Sequence, residues 1–272
     1  MKLRNIIKTT NIREGGALFH YAHFLCDCIF PEVVNGFNNF DCIYREKHLK
    51  QSLGNFDKLY EEIMKTKTKE IDKNSFNDLN VKHIIPPKKE QILKLKYVNY
   101  FTDYIFSLYN INPNIYIAEY PEVLLVKRGS NNIEKLVNKS LILSNKTAKD
   151  KINENTILTT GNKRREIKDI DLLESYLINK YGDKFKSLYF ENLTFEEQIK
   201  YFNNAKIIIC AHGAVMSNMF FCKRNTIIVE VTCNKQWIFF DNLSKIQKLN
   251  HIKITDNNFN SIKTVINKLE IC

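Results

Sequence analysis

Along the first third of the chain, apolar residues return at the spacing of a helix. Leu18, Tyr21, Ala22, Leu25, Ile29 and Val33 mark one face of a helix predicted over residues 15–37. On it His23 and Asp27 stand four apart and share a face, and Pro31 is expected to kink or end the helix near Ile29–Phe30. Residues 38–46 suit a short strand and 49–71 an amphipathic helix. Val81–Pro87 then reads as a strand stopped by its prolines, and 89–109 as a second amphipathic helix. This alternation predicts a parallel α/β layer. Between Asn110 and Asn138 come Pro113, Pro121, the strand-like Val123–Val126 and the polar Gly129–Asn132. A join between two lobes is placed there, giving domains of residues 1–125 and 126–272.

The second lobe alternates more regularly. Leu141–Leu143 reads as a short buried strand, and a polar loop rich in Lys and Asn runs on to Arg165. Residues 169–181 follow as a helix closed by Gly182. Ser187–Phe190 is a strand, and Thr194 with Glu197 forms a capping box for a helix reaching Asn204. A strand at Ile207–Cys210, a helix starting near Ala214 and a strand at Thr226–Val231 complete the order βαβαβαβ, a Rossmann-like half.

With 272 residues the chain suits one large domain or two small ones. Its 44% hydrophobic and 26% charged residues and 8 glycines exclude fibrous or linker-dominated architectures. The formal charge is +11, but the basic clusters Lys88–Lys89 and Lys163–Arg165 are short and carry no interleaved aromatics. Nucleic acid is therefore not the expected partner. An anionic small molecule suits the charge better, and peripheral contact with an anionic membrane surface is compatible with it. The seven cysteines, at positions 26, 28, 42, 210, 222, 233 and 272, form no CxxC pair. They read as reduced, buried thiols in a reducing compartment rather than as a zinc site. Neither a signal peptide nor a membrane span is expected. Met1–Lys8 has no long apolar stretch after its charges, and Ala17–Val34 is interrupted by His20, His23, Asp27 and Glu32. The expected setting is the cytoplasm.

Candidate chemistry concentrates between Ala205 and Val231. The β-branched strand Ile207–Cys210 runs into Ala211–His212–Gly213 and then a helix from Ala214. Gly213 can adopt positive φ and admit a ligand close to the backbone. The N–H groups and dipole at the start of the next helix favour an anion such as a pyrophosphate, and parallel sheets bind ligands at the carboxyl ends of their strands. Glu230, at the end of the following strand, can accept hydrogen bonds from ribose hydroxyls. Plain packing produces the same pattern, with Gly213 serving helix–strand contact and Glu230 a solvated strand end.

Several separate elements resemble a known signature. Thr194–Gln198, Phe202, Ala205, Ala211–His212–Gly213–Ala214, Ser217–Phe221 and Ile228–Val231 are similar, in order and spacing, to the C-terminal signature of glycosyltransferase family 61. His23–Phe24–Leu25–Cys26–Asp27 with Pro31 is similar to that family's H-W-x-x-D-like element, and Arg164–Arg165 to its Arg-containing loop. The resemblance implies a GT-B-like α/β fold: two Rossmann-like lobes with parallel sheets facing a cleft, the N-terminal lobe reduced. It also implies inverting transfer from a nucleotide sugar, typically a UDP-sugar, onto a glycan or protein-linked acceptor, with no bound metal or other cofactor. Phe24 replaces the family's usual Trp and Val215–Met216 its Gly–Leu, departures that with the short N-terminal lobe bear on acceptor recognition.

The resemblance makes Arg164, Arg165, His212, Gly213, Ala214, Asn218 and Glu230 the expected donor-binding residues, with His212 on phosphate or sugar. His23 and Asp27 are the expected catalytic pair. Either is the base that takes the acceptor proton, or Asp27 orients His23; a core histidine satisfied by a neighbouring carboxylate gives the same spacing. The only Asp-x-Asp triplet, Asp169–Ile170–Asp171, sits at a helix start, where acidic residues suit the dipole, so no metal is expected on it. Arg164, Arg165 and the Ala214 helix start are then the candidates to neutralise a leaving diphosphate. Two other readings stand beside this one. A nucleotide-sugar-binding module that has lost transfer fits the short first lobe, whereas a dehydrogenase or methyltransferase lacks an early GxGxxG after a strand.

Overall fold

The computed structural model describes residues 7–9, 20–46, 53, 56–72, 82–83, 86–127, 142–143, 159–160, 167–231 and 238–269. The chain divides into two compact units, Met1–Leu108 and Tyr109–Cys272. This division precedes the 125/126 join read from the sequence, because Val123–Lys127 is a strand inside the second unit's sheet. Both units are α/β with parallel sheets, as the alternation of elements predicts.

The first unit's sheet contains β1 (Ile7–Thr9), β2 (Cys42–Glu46), β3 (Lys67–Ile71) and β4 (Lys82–His83) in the order β3-β2-β1-β4, with every pair parallel. The single helix predicted over 49–71 is not formed. A helix spans Asp57–Met64, Lys65 ends it in left-handed backbone at φ 50°, and β3 pairs with β2 from Cys42 opposite Lys67 onward. Being an edge strand, β3 keeps charged side chains that block pairing with other chains. Those same charges give it the look of a helix surface.

The helix predicted over 15–37 is helical from Tyr21 to Val34, and Pro31 does not end it. Tyr21–His23 is α-helical, Phe24–Ile29 π-helical and Phe30–Val34 α-helical again. In a regular α-helix the Pro31 ring would run into the carbonyl of Asp27, four residues back. The wider turn upstream, in which the Phe30 N–H bonds to the Leu25 carbonyl, relieves that conflict. Phe24, Leu25, Ile29, Phe30 and Val33 are buried. Phe24 stacks on Phe56 at 4.6 Å, and Phe30 meets Phe101 edge-on at 5.3 Å.

An ion pair tied to this helix lies out of water. Arg45 on β2 and Glu32 are 1% and 2% exposed. The guanidinium donates to the Glu32 carboxylate at 3.0 Å, and the Tyr60 hydroxyl donates to the same oxygen at 2.6 Å. The face of the Tyr60 ring lies 4.4 Å from the Arg45 guanidinium carbon. One strand and two helices are thereby fastened at a single carboxylate.

The second unit holds β5 (Val123–Lys127), β6 (Ile142–Leu143), β7 (Thr159–Thr160), β8 (Phe185–Tyr189), β9 (Ile207–Ala211), β10 (Ile227–Val231) and β11 (Asn250–Ile254). Five of these make a parallel sheet in the order β11-β10-β9-β5-β8, while β6 pairs with β7. Every residue of the central β9 is buried, as in a strand covered on both faces. Val123, Leu125, Ile207, Ile209, Val229 and Val231 pack with Leu173 and Leu177 of the helix Ile170–Tyr181 and with Ile262 and Ile266 of the helix Phe259–Ile266. Cys210 and Glu230, in register on neighbouring strands, share the opposite face.

Two local signals in this unit are realised. Thr194 Oγ1 accepts from the Glu197 N–H at 3.2 Å and Glu197 accepts from the Thr194 N–H at 2.7 Å, closing the capping box. Gly182 ends the preceding helix at φ 53°, a conformation that suits glycine. The alternation continues past Val231 with the helix Ile238–Gln247, β11 and the helix Phe259–Ile266. Among the described residues no helix is long and apolar enough to cross a membrane.

Arg45→Ala would leave the Glu32 carboxylate buried without its cation, which costs about 3–5 kcal/mol. Tyr60→Phe removes one hydrogen bond to a charged group, a smaller loss of about 1.5–3 kcal/mol. Urea unfolding of both variants measures the difference.

Candidate functional site

The helix of the first unit brings His23 and Asp27 together as their spacing predicts. His23 Nδ1 lies 2.6 Å from Asp27 Oδ2, and the other carboxylate oxygen lies 2.9 Å from Lys89 Nζ. The Asp27 and Lys89 side chains are 8% and 9% exposed, the His23 ring 20%. Burial by itself would raise the Asp27 carboxyl. The hydrogen bonds from His23 and Lys89 and the Lys89 charge outweigh it and hold the group below its ordinary value. Such a carboxylate is a poor proton acceptor and a good fixed partner for an N–H. Because it takes the His23 Nδ1–H, the lone pair of the neutral ring belongs to Nε2. The neighbouring His20, its ring centroid 6.4 Å from that of His23, is lowered to about 4 by burial and by His23, so it adds no charge at neutral pH.

The second constellation stands at the carboxyl ends of β9 and β10. His212 follows β9 directly, and its backbone N–H bonds to the Val231 carbonyl at 2.8 Å. Its Nδ1 makes a short hydrogen bond to Glu230 Oε1, while His251 Nε2 meets Glu230 Oε2 at 2.7 Å. His212 and Glu230 are 4% and 2% exposed. Burial pushes the Glu230 carboxyl up, but the two histidine hydrogen bonds prevail and bring it down to about 2. Glu230 is thus not the solvated strand end that packing alone suggests, since it is buried and each of its oxygens holds an imidazole.

Gly213 does not use the positive φ expected of it. Its φ of 174° and ψ of −169° are extended backbone that any residue can adopt. The helix expected from Ala214 is a 3-10 helix, Ala214–Phe221. At three residues per turn, Met216 and Met219 eclipse, as do Ser217 and Phe220, and all four are buried. Only the start of this segment reaches solvent, with Ala214 exposed and Val215 partly so, next to His212. Asn218 is fully buried and donates to Gln198 Oε1 at 3.0 Å, while the Gln198 amide donates to the carbonyls of Phe190 and Leu193. Asn218 therefore helps to fix the turn.

Arg164 and Arg165 lie outside the described residues. Asp169 and Asp171 occupy the N-cap and first turn of the helix Ile170–Tyr181, both exposed, as their position in the sequence predicts. Among the described residues no group of three or more His, Cys, Asp or Glu is placed to hold a metal ion. Sequence reasoning missed Lys89, which read as half of a surface basic pair, and His251, on a strand beyond the segment with a recognisable signature. The alternating Asn250–Ile254 after an amphipathic helix was the available signal for that strand.

A protein-family model described as Glycosyltransferase 61 matches residues 21–229, a span holding His23, Asp27, Lys89 and His212 and ending beside Glu230. Comparison with curated proteins finds no match.

The Glu230 value of about 2 in the folded chain lies below the ordinary 4.5, so the unfolded chain takes up the proton first on acidification. The stabilisation is complete above pH 4.5 and is lost as the pH falls toward 2. Urea midpoints of the wild type and Glu230→Gln should therefore differ most near neutrality and converge through that interval. A gap independent of pH would contradict the assignment.

Proposed function

The chain belongs to glycosyltransferase family 61 and is a glycosyltransferase, and from that premise we propose that it transfers a sugar, with inversion, from a UDP-sugar to a hydroxyl of a glycan or protein-linked acceptor. The observation that carries this reading is the His23–Asp27–Lys89 set, an imidazole held on one nitrogen by a carboxylate that is itself held ionised. His23 Nε2 takes the proton of the acceptor hydroxyl. The acceptor oxygen bonds to the anomeric carbon on the side opposite the leaving group, and the carbon–oxygen bond to the diphosphate breaks, its electron pair departing with UDP. Asp27 keeps the ring oriented and stabilises the imidazolium that forms.

In the same reading the second unit holds the donor. His212 and the first N–H groups of the Ala214–Phe221 segment take the diphosphate or the sugar. Glu230 acts through His212, and Asn218 through the placement of the turn. Arg164 and Arg165 supply the positive charge that a metal ion would otherwise bring to the leaving group. The architecture is GT-B and the setting the cytoplasm. The five described cysteines, all free thiols, suit a reducing compartment.

UDP should raise the melting temperature where NAD does not, and UDP release from a UDP-sugar should persist in EDTA. Abolition by EDTA would overturn the metal-free reading, and stabilisation by NAD alone the donor class. His23→Ala should slow turnover by about 10²–10⁴-fold with the UDP-induced shift retained, and Asp27→Ala should likewise spare UDP binding while slowing transfer. A His23→Ala enzyme with normal turnover would remove the residue from the base role.

A further inference from the structure

Glu230 has two oxygens, and the proposed function uses the partner of only one. The other partner, His251, comes from β11, the edge strand of the sheet. Its ring is 6% exposed. The register of β10 and β11 sets Ile228 opposite His251 and Glu230 opposite Lys253, so His251 lies on the face that carries Glu230. From there its Nε2 reaches Glu230 Oε2 at 2.7 Å. The other ring nitrogen, Nδ1, stands 3.6 Å from Asp241 Oδ1, too far for a hydrogen bond. That aspartate is satisfied by Lys253 Nζ at 2.5 Å. The N–H of His251 is therefore committed to Glu230, and the ring has the tautomer opposite to that of His212: Nε2–H in one, Nδ1–H in the other.

The structure assigns His251 as a positioning residue for the donor-side His212, acting through Glu230. A carboxylate with one anchored oxygen can swing about its last side-chain bond, because that torsion is broad. With Oε2 anchored by His251, Oε1 stays aimed at His212 Nδ1, which fixes the plane and the tautomer of the ring placed at the carboxyl end of β9. Removing the anchor also strands a buried carboxylate oxygen, which draws in water or a proton and loosens the grip on His212 further. Carboxylates orient metal-bound histidines elsewhere by accepting their other ring N–H; here another histidine holds the carboxylate in turn. The inference rests on His212 contacting the donor, as proposed above.

The test pairs His251→Leu, which removes the donor, with His251→Gln, whose amide nitrogen can reach the same carboxylate. Long-range 1H–15N spectra of the imidazoles, recorded without substrate, should show wild-type His212 protonated at Nδ1 and His251 at Nε2. His212 should become a tautomer mixture in His251→Leu and return to one form in His251→Gln. In turnover, His251→Leu should raise the donor KM by about 10-fold with kcat little changed, and His251→Gln should recover most of it. If His251→Leu does not fold, His251→Asn, whose amide falls short of Glu230, takes its place. Wild-type tautomers the other way round, or a His212 spectrum and donor KM unmoved by loss of the anchor, would overturn the assignment. A protein that shows the spectral changes but neither binds nor turns over UDP-sugars would sink the donor reading and leave the positioning role standing.

Discussion

A carboxylate that leaves water has to find donors for both of its oxygens, because the cost of desolvating it runs to several kcal/mol. Asp27, Glu32 and Glu230 are all in that position, and each is met by side chains from other parts of its unit. Glu32 draws Arg45 from a strand and Tyr60 from a helix. Asp27 draws His23 from its own helix and Lys89 from a separate segment. Glu230 draws His212 from the end of β9 and His251 from β11, so three adjacent strands meet at one charge. The strand registers and helix faces around these points bring the donors within reach of each carboxylate.

The partners separate structural from chemical roles. Arginine and tyrosine keep their protons throughout the neutral range, so the Glu32 cluster is an inert fastening. Asp27 and Glu230 each hold an imidazole, a group that can gain or give a proton near neutrality. In the first unit a lysine ammonium balances the carboxylate, whereas in the second a further histidine does so. One arrangement gives a carboxylate held ionised behind its histidine by a lysine. The other gives a shared carboxylate whose geometry depends on a strand at the sheet edge.

Much of this was legible in the sequence wherever the relevant contact is short-range. The i, i+4 spacing of His23 and Asp27, the Thr194–Glu197 cap and the β-branched run Ile207–Cys210 all declare themselves within a few residues, and all are realised. Lys89 and His251 could not be read this way, because their partners lie 62 and 21 residues away in the chain and nothing local distinguishes them from surface charge. The strand Lys67–Ile71 was hidden by the charges that protect an edge. Gly213 misled for a different reason: a glycine permits positive φ without requiring it, and here the chain passes straight through.

The π-helical turn between Phe24 and Ile29 has a consequence for how chain length can vary here. Such a turn is equivalent to one residue inserted into an α-helix, and each α-helical residue turns the chain by about 100°. The wider turn absorbs that residue, so the polar pair His23–Asp27 and the apolar Phe30–Val33 keep nearly the headings that an α-helix one residue shorter would give them. A chain lacking one residue just after Asp27 would close into a regular α-helix with its histidine still facing the same way, but the proline ring would then meet the carbonyl four residues before it. Within these six residues, a single-codon deletion leaves the faces of the helix in place and removes the room made for the proline.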